Sequence, residues 1–291
     1  MKKILFILIF ALLLTGCAGN AEPAQVAATT LPVYEFTARL CDGTGITVTR
    51  LVTEEVSCLH DYSLNVRQVK AAEAAELIVF SGAGLEAFLE DLVLNTRTVD
   101  ASAGIELLCP EEAHGHSHDD HRGHHHESDP HIWLSPANAK IMAENICSGL
   151  TLQYPEHGNT FRNNLTPLLA ELDALQQYGE RALASLSCRE LIPFHDGFSY
   201  FARSFDLQIL RSVEEESGSE ASAKELIDLI EEVRHHNLSA VFTEKSGSVS
   251  AASVIARETG CAVFSLDMAM SGDSYFDAMY HNIDTIKEAL G

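Results

Sequence analysis

Basic residues are scarce in this chain, with 19 lysines and arginines against 42 aspartates and glutamates, a formal net charge of -23. Such a surface repels nucleic acid phosphates and draws cations. Neither Gly-x-Ser-x-Gly nor His-Glu-x-x-His occurs, so the usual hydrolase signatures are missing. The lack of any Cys-x-x-Cys pair argues against a thiolate zinc knuckle. Apolar runs are short as well: Ile4 to Leu14 falls below the length that spans a bilayer comfortably.

That run follows Lys2 and Lys3 and leads into Leu14-Thr15-Gly16-Cys17, the pattern of a cleaved export signal. The ending resembles a bacterial lipobox, so residues 1–17 are expected to form a lipoprotein signal ending at the lipidated Cys17. Export places Cys41, Cys58, Cys109, Cys147, Cys188 and Cys261 in an oxidising compartment. A short strand-containing loop separates Cys41 from Cys58, and these are expected to pair. Cys188 with Cys261 is a further pairing, with free buried thiols as its alternative.

About 270 residues remain after the signal, enough for two domains of ordinary size. Short β-rich runs alternate with helical stretches, which predicts an α/β class. Strands are expected at Ile46–Val52, Leu77–Phe80, Leu191–Phe194, Leu207–Ser212, Ala240–Thr243 and Ala262–Leu266. Helices are expected at Leu64–Ala75 and Gly84–Leu94, and another opens after Pro136. From Gly158 to Leu186, leucines at 165, 168, 169, 172, 175, 183 and 186 form one apolar stripe, on a helix long enough to join two lobes. Pro167 would sit near its start or kink it. The resulting division is 18–156 for an N-terminal lobe, 157–187 for a linker helix and 188–291 for a C-terminal lobe. A capping box, Ser222-Ala223-Lys224-Glu225, opens a helix whose far end carries His235 and His236, two histidines read as structural because cations suit a helix C-terminus.

Histidine is what the chain has in excess. Seven of its 14 histidines, His114, His116, His118, His121, His124, His125 and His126, crowd into one segment. Neutral imidazole is the commonest ligand for divalent transition metals, so the chain is expected to handle metal. The surrounding stretch 111–129 carries six carboxylates and almost no apolar residues, and is expected to be a mobile, auxiliary metal-collecting loop. Other histidines stand at the junctions of elements. His60 lies between a strand and a helix, His195 follows the strand Leu191–Phe194, and His131 is pinned behind Pro130. Asp267 follows Ala262–Leu266. Ligands gather at the carboxyl ends of strands in open α/β folds, so these four positions are candidates for one cleft. His195 beside Asp196 has an interior pair as its alternative, and Asp267 a helix N-cap. Gly82-x-Gly84-x-x-Ala87 imitates a dinucleotide fingerprint, but it is not in the first βα unit and no ribose-binding carboxylate follows.

Several blocks carry a resemblance to a known family: Leu31-Pro32-Val33-Tyr34-Glu35-Phe36, Ser81-Gly82-Ala83-Gly84-Leu85-Glu86, Asp129 to Pro136, Pro193 to Phe198, Phe242-Thr243-Glu244 and Ser265-Leu266-Asp267. Together they resemble the metal-binding solute-binding lipoproteins of bacterial ABC transporters, specifically the zinc-uptake branch. The resemblance implies two α/β lobes joined by a long backbone helix, with Zn²⁺ between them on His60, His131, His195 and Asp267. Manganese-binding members look as if they place glutamate at the position of His195. Three imidazoles and a carboxylate suit tetrahedral zinc, and manganese prefers more oxygen. Two departures stand out. Ser57-Cys58-Leu59-His60-Asp61-Tyr62 replaces the usual Asp-Pro-His and Tyr-Glu-Pro, and Met268 follows Asp267 where the family often has proline.

The implied function is extracytoplasmic zinc capture and delivery to a membrane permease, by a monomer held to the membrane through its lipid and without enzymatic activity. Binding of another divalent metal such as Mn²⁺ in the same transport class, and a surface metal buffer or adhesin working through the histidine loop, are the alternatives.

Overall fold

Alternate residues of the N-terminal strands face different helices, and this period of two builds the first lobe. The computed structural model describes residues 25–56, 59, 62–89, 96–108, 128–212, 222–245 and 250–291. Strands β1 (Val26–Ala28), β2 (Val48–Arg50), β3 (Leu77–Phe80) and β4 (Arg97–Asp100) form one parallel sheet in the order β2-β1-β3-β4. Val26, Ala28, Leu77 and Val79 pack with Phe36 and Leu40 of α1 (Leu31–Leu40) and with Met142 and Ile146 of α3 (Pro136–Gln153). Ala27 and Ile78 turn to the opposite face and meet Ala72 of α2 (Val66–Ala74). Covered on both faces, the central strands read as unbroken apolar runs.

Local chemistry sets the helix starts. Asn65 accepts the Gln68 N–H at 3.2 Å and Gln68 returns a bond at 2.7 Å, a capping box that trims the expected Leu64–Ala75 helix to Val66–Ala74. Proline stands in the first turns of α1 and α3, where its missing N–H costs nothing. The linker is α4 (Gly158–Ala182), whose 25 residues span about 37 Å. It runs through Pro167 without interruption, and Leu168, Leu172 and Leu175 of the expected stripe are buried.

In the second lobe β5 (Glu190–Leu191) pairs with β6 (Gln208–Ile209), and β7 (Ala240–Glu244) with β8 (Ala262–Leu266), all in parallel. The expected strand Leu191–Phe194 is cut short by Pro193, which bridges Phe242 with no N–H to offer. Its neighbours complete the pairing, since Phe242 N–H donates to Ile192 O and Phe194 N–H to Phe242 O. Helices α5 (Ser199–Ser204), α6 (Ala223–His235), α7 (Ser250–Thr259) and α8 (Tyr275–Leu290) complete the lobe. The Ser222–Glu225 capping box forms as expected. One apolar cluster runs from β1 through α4 and β7 to α8, so both lobes and the linker share a core.

Other expectations differ as well. Gly84–Leu94 holds only a 3-10 turn at Ala87–Leu89 among the described residues, because Gly82 and Ala83 adopt positive φ and the chain turns there. Cys41 stands as a buried thiol at the end of α1, where burial pushes its pKa up to about 12, and its expected partner Cys58 lies outside the described residues. Cys188 and Cys261 are free thiols, and both pack into the apolar layer under α6 and α7. Residues 1–17 with Cys17, as well as Cys58, His60, Cys109 and His114 to His126, lie outside the described residues. Among the described residues no helix is long and apolar enough to cross a membrane.

Candidate metal centre

His131 enters the interior at the head of a 3-10 turn, Ile132–Leu134, and retains 2% of its exposure. Asp129, two residues earlier, accepts both the His131 backbone N–H at 2.9 Å and the ring Nδ1 at 2.8 Å. A proton on Nδ1 satisfies that carboxylate and leaves the Nε2 lone pair pointing away from it. Asp129 is fixed in turn, because the Tyr200 hydroxyl donates to its carbonyl at 3.0 Å.

His195 comes from the other lobe, just beyond the Pro193 bridge, and is 3% exposed. Its Nε2 lies 3.2 Å from the Nε2 of His131, with the rings nearly perpendicular at 84°. With the His131 Nε2 lone pair free, this contact is either a hydrogen bond from a protonated His195 Nε2 or, when His195 carries its proton on Nδ1, two lone pairs converging on one cation. A tetrahedral zinc with bonds of about 2.0–2.1 Å sets its nitrogen ligands roughly 3.3–3.4 Å apart. The pair therefore has the span of one edge of such a site. The Glu244 carboxylate at the end of β7 lies 3.8 Å from His195 Nδ1 and adds negative potential. Backbone passes tightly beside both rings: a Cβ on Gly197 would fall 2.9 Å from His195 Cδ2 and 3.2 Å from His131 Cδ2.

Asp267 follows β8, as expected, and its backbone is clamped by the fully buried Asn282, which accepts its N–H and donates to its C=O, both at 2.7 Å. Asp267 Oδ1 accepts the Ala269 N–H at 2.8 Å in an Asx-turn rather than capping the next helix, whose N-cap is Ser274, while Oδ2 lies 3.3 Å from Lys245 Nζ. From there the chain crosses to the first lobe. Trp133 Nε1–H donates to Met268 O at 2.7 Å, Leu31 N–H to Met270 O at 3.1 Å, and Arg50 Nη1 to Gly272 O at 2.7 Å. Tyr275 then donates its hydroxyl to Trp133 O at 2.8 Å and its N–H to Glu35 at 2.7 Å. The segment that carries Asp267 is thus strapped to the loop that carries His131.

The structure brings His131 and His195 together across the lobes. Among the described residues no group of three donors close enough for a metal forms; His60 lies outside them, and the Asp267 oxygens contact Lys245 and the Ala269 N–H. His235 and His236 stand away from this centre, and His236 pairs with Glu190 at 2.9 Å. The dinucleotide reading fails on geometry. The amides of Ser81 and Gly82, which would cradle a phosphate, donate to the buried Glu86 carboxylate at 2.7 and 3.0 Å. Asn282, Tyr275 and Lys245 gave no signal in the sequence, since their roles arise from contacts across long separations. Asp129 was legible in principle, as a carboxylate two residues before a histidine.

Comparison with known proteins bears on the family and the fold. The family model described as "Zinc-uptake complex component A periplasmic" (ZnuA) matches residues 26–289. A putative metal-binding protein of Treponema pallidum is 31% identical over 243 residues, which are 79% of this chain and 76% of that protein. The zinc-binding lipoprotein AdcA of Streptococcus pneumoniae is 28% identical over 99% of this chain, which spans 61% of AdcA. A crystal structure of ZnuA superposes with a TM-score of 0.78 at 29% identity, covering 92% of this chain and all of that one. With two α/β lobes, a linking helix and a buried imidazole pair between them, this chain belongs to the zinc-uptake complex component A family of metal solute-binding proteins.

Proposed function

We propose that this protein captures Zn²⁺ outside the cytoplasmic membrane and delivers it to the permease of an ABC transporter, the ion being held between the lobes by His60, His131, His195 and Asp267. The observation that carries the reading is the pair of buried Nε2 atoms 3.2 Å apart, one from each lobe. Separation of the lobes then opens the site, because ligand distances tolerate only a few tenths of an ångström. The shared apolar core and the strap from Met268 to Tyr275 limit that motion to a small tilt. Docking of the permease on one lobe supplies the tilt. Histidine at position 195, where glutamate would add oxygen, favours zinc over manganese. Four protein ligands leave no open coordination position for catalysis, so the protein acts as a carrier.

Two further assignments belong to this reading. Lipidation at Cys17 tethers the monomer to the membrane beside its permease. The segment His114 to His126 gathers zinc weakly and raises its local concentration.

Calorimetric zinc titration tests the reading, using the mature protein lacking residues 113–127 with His131→Ala and His195→Ala in that background. One tight site lost in both variants is expected. Tight binding that disappears with residues 113–127 alone would sink the interlobe site and leave a surface metal buffer.

A further inference from the structure

Lys245 is the residue at this site that zinc ligation does not explain. The register of β7 and β8 pairs Glu244 with Leu266, and the Lys245 N–H donates to Leu266 O at 2.9 Å. One step beyond the last pair, Lys245 stands opposite Asp267, with Nζ 3.3 Å from Oδ2. The two partners differ in freedom. The Lys245 side chain is 65% exposed on a flexible stem, whereas Asp267 is 14% exposed and clamped by Asn282. Oδ1 already accepts the Ala269 N–H, so Oδ2 is the freer oxygen for a cation. An ammonium and a divalent metal cannot both take the same lone pairs at bonding distance. The Asp267 backbone is held by Asn282 and, through the neighbouring Met268 carbonyl, by Trp133, so the carboxylate moves only by rotation of its own short side chain.

We infer that Lys245 is a built-in competitor for the cargo: its ammonium and Zn²⁺ exchange at Asp267 Oδ2, so that metal entry displaces the lysine and the returning lysine helps to expel the metal. The inference rests on the zinc-capture reading and adds a residue that tunes affinity and release. Such a device suits a carrier, which must let go of its ion. It costs little binding strength because an exposed ion pair is weak, yet the ammonium waits within a few ångströms of the carboxylate as the bond to metal lengthens.

The test is a double-mutant cycle in the mature chain lacking residues 113–127, with Lys245→Met, Asp267→Asn and the double variant. Zinc affinity is read by competition with a chromophoric chelator, and release by transfer to excess chelator in stopped flow. Lys245→Met is expected to tighten zinc about 2- to 5-fold, the range of exposed ion pairs, mainly by slowing release. In the Asp267→Asn background the same substitution is expected to change nothing. Equal tightening in both backgrounds would overturn the inference, since the lysine would then act only through its long-range charge. No change in either would overturn it as well. His131→Ala, run alongside, keeps the two levels apart: tight zinc binding retained in that variant defeats the interlobe site itself, whatever Lys245 does.

Discussion

Gly197→Ala tests whether the two imidazoles hold the cargo at the spacing observed. The added Cβ would lie 2.6 Å from Met268 Cε, 2.9 Å from His195 Cδ2 and 3.2 Å from His131 Cδ2. The methionine contact is cheap, because that methyl ends a flexible chain. The histidine contacts are not. Ordinary van der Waals contact begins near 3.4 Å, so the rings must retreat by about 0.5 and 0.2 Å. His131 is fixed by two hydrogen bonds to Asp129 and resists its share, and the larger displacement falls on His195. Metal bonds tolerate errors of about 0.2 Å, and disturbing a ligand's support typically costs 10- to 100-fold in affinity. Zinc affinity is therefore expected to drop by about that factor, while overpacking lowers stability by about 1 kcal/mol. Chelator competition measures the first and thermal unfolding in chelator the second. Adding Met268→Ala should leave the affinity loss in place, because the histidine contacts persist. Affinity at the wild-type level in Gly197→Ala would refute the argument: the ion would not be held by these imidazoles at this separation.

Two further outcomes follow from the same geometry. Asp129→Ala removes the acceptor of both the His131 amide and its ring, and is expected to weaken zinc by about 10- to 100-fold and to cost about 1–3 kcal/mol for the stranded amide; unchanged binding in the competition assay would show that the ring needs no orienting partner. Glu86 bears on stability rather than binding. Burial outweighs the bonds it accepts from Thr29, Ser81 and Gly82, and its carboxyl is pushed from 4.5 up to about 7. The folded chain therefore holds this proton more tightly than the unfolded chain. Its contribution to stability is complete below about pH 4.5 and is lost as pH rises through about 7. Between pH 5 and pH 8 the wild type should lose stability relative to Glu86→Gln, by on the order of 3 kcal/mol, in denaturant unfolding with chelator present; parallel pH profiles would contradict this.

What the sequence determined by itself was everything carried by local pattern. Apolar runs marked Leu77–Phe80 and Ala262–Leu266 to the residue; the first is a buried parallel strand that needs apolar side chains on both faces, the second a half-exposed strand of which only Leu266 reaches the core. The leucine stripe marked the linker helix, and Ser222 with Glu225 marked the start of α6. His131, His195 and Asp267 were legible as residues at the ends of elements, where the backbone fixes a side chain's direction. Tertiary structure alone decided which of them meet. That the Nε2 atoms of His131 and His195 stand 3.2 Å apart depends on how two lobes pack over a shared core, 64 residues apart in the chain. Asn282 on Asp267 and Trp133 on Met268 are bonds across 15 and 135 residues, and no local signal encodes them. The cysteines show the limit most plainly. An even count in an oxidising compartment permits disulfides, but whether two sulfurs come within bonding distance is set by packing, which leaves Cys188 and Cys261 as free thiols in one apolar layer.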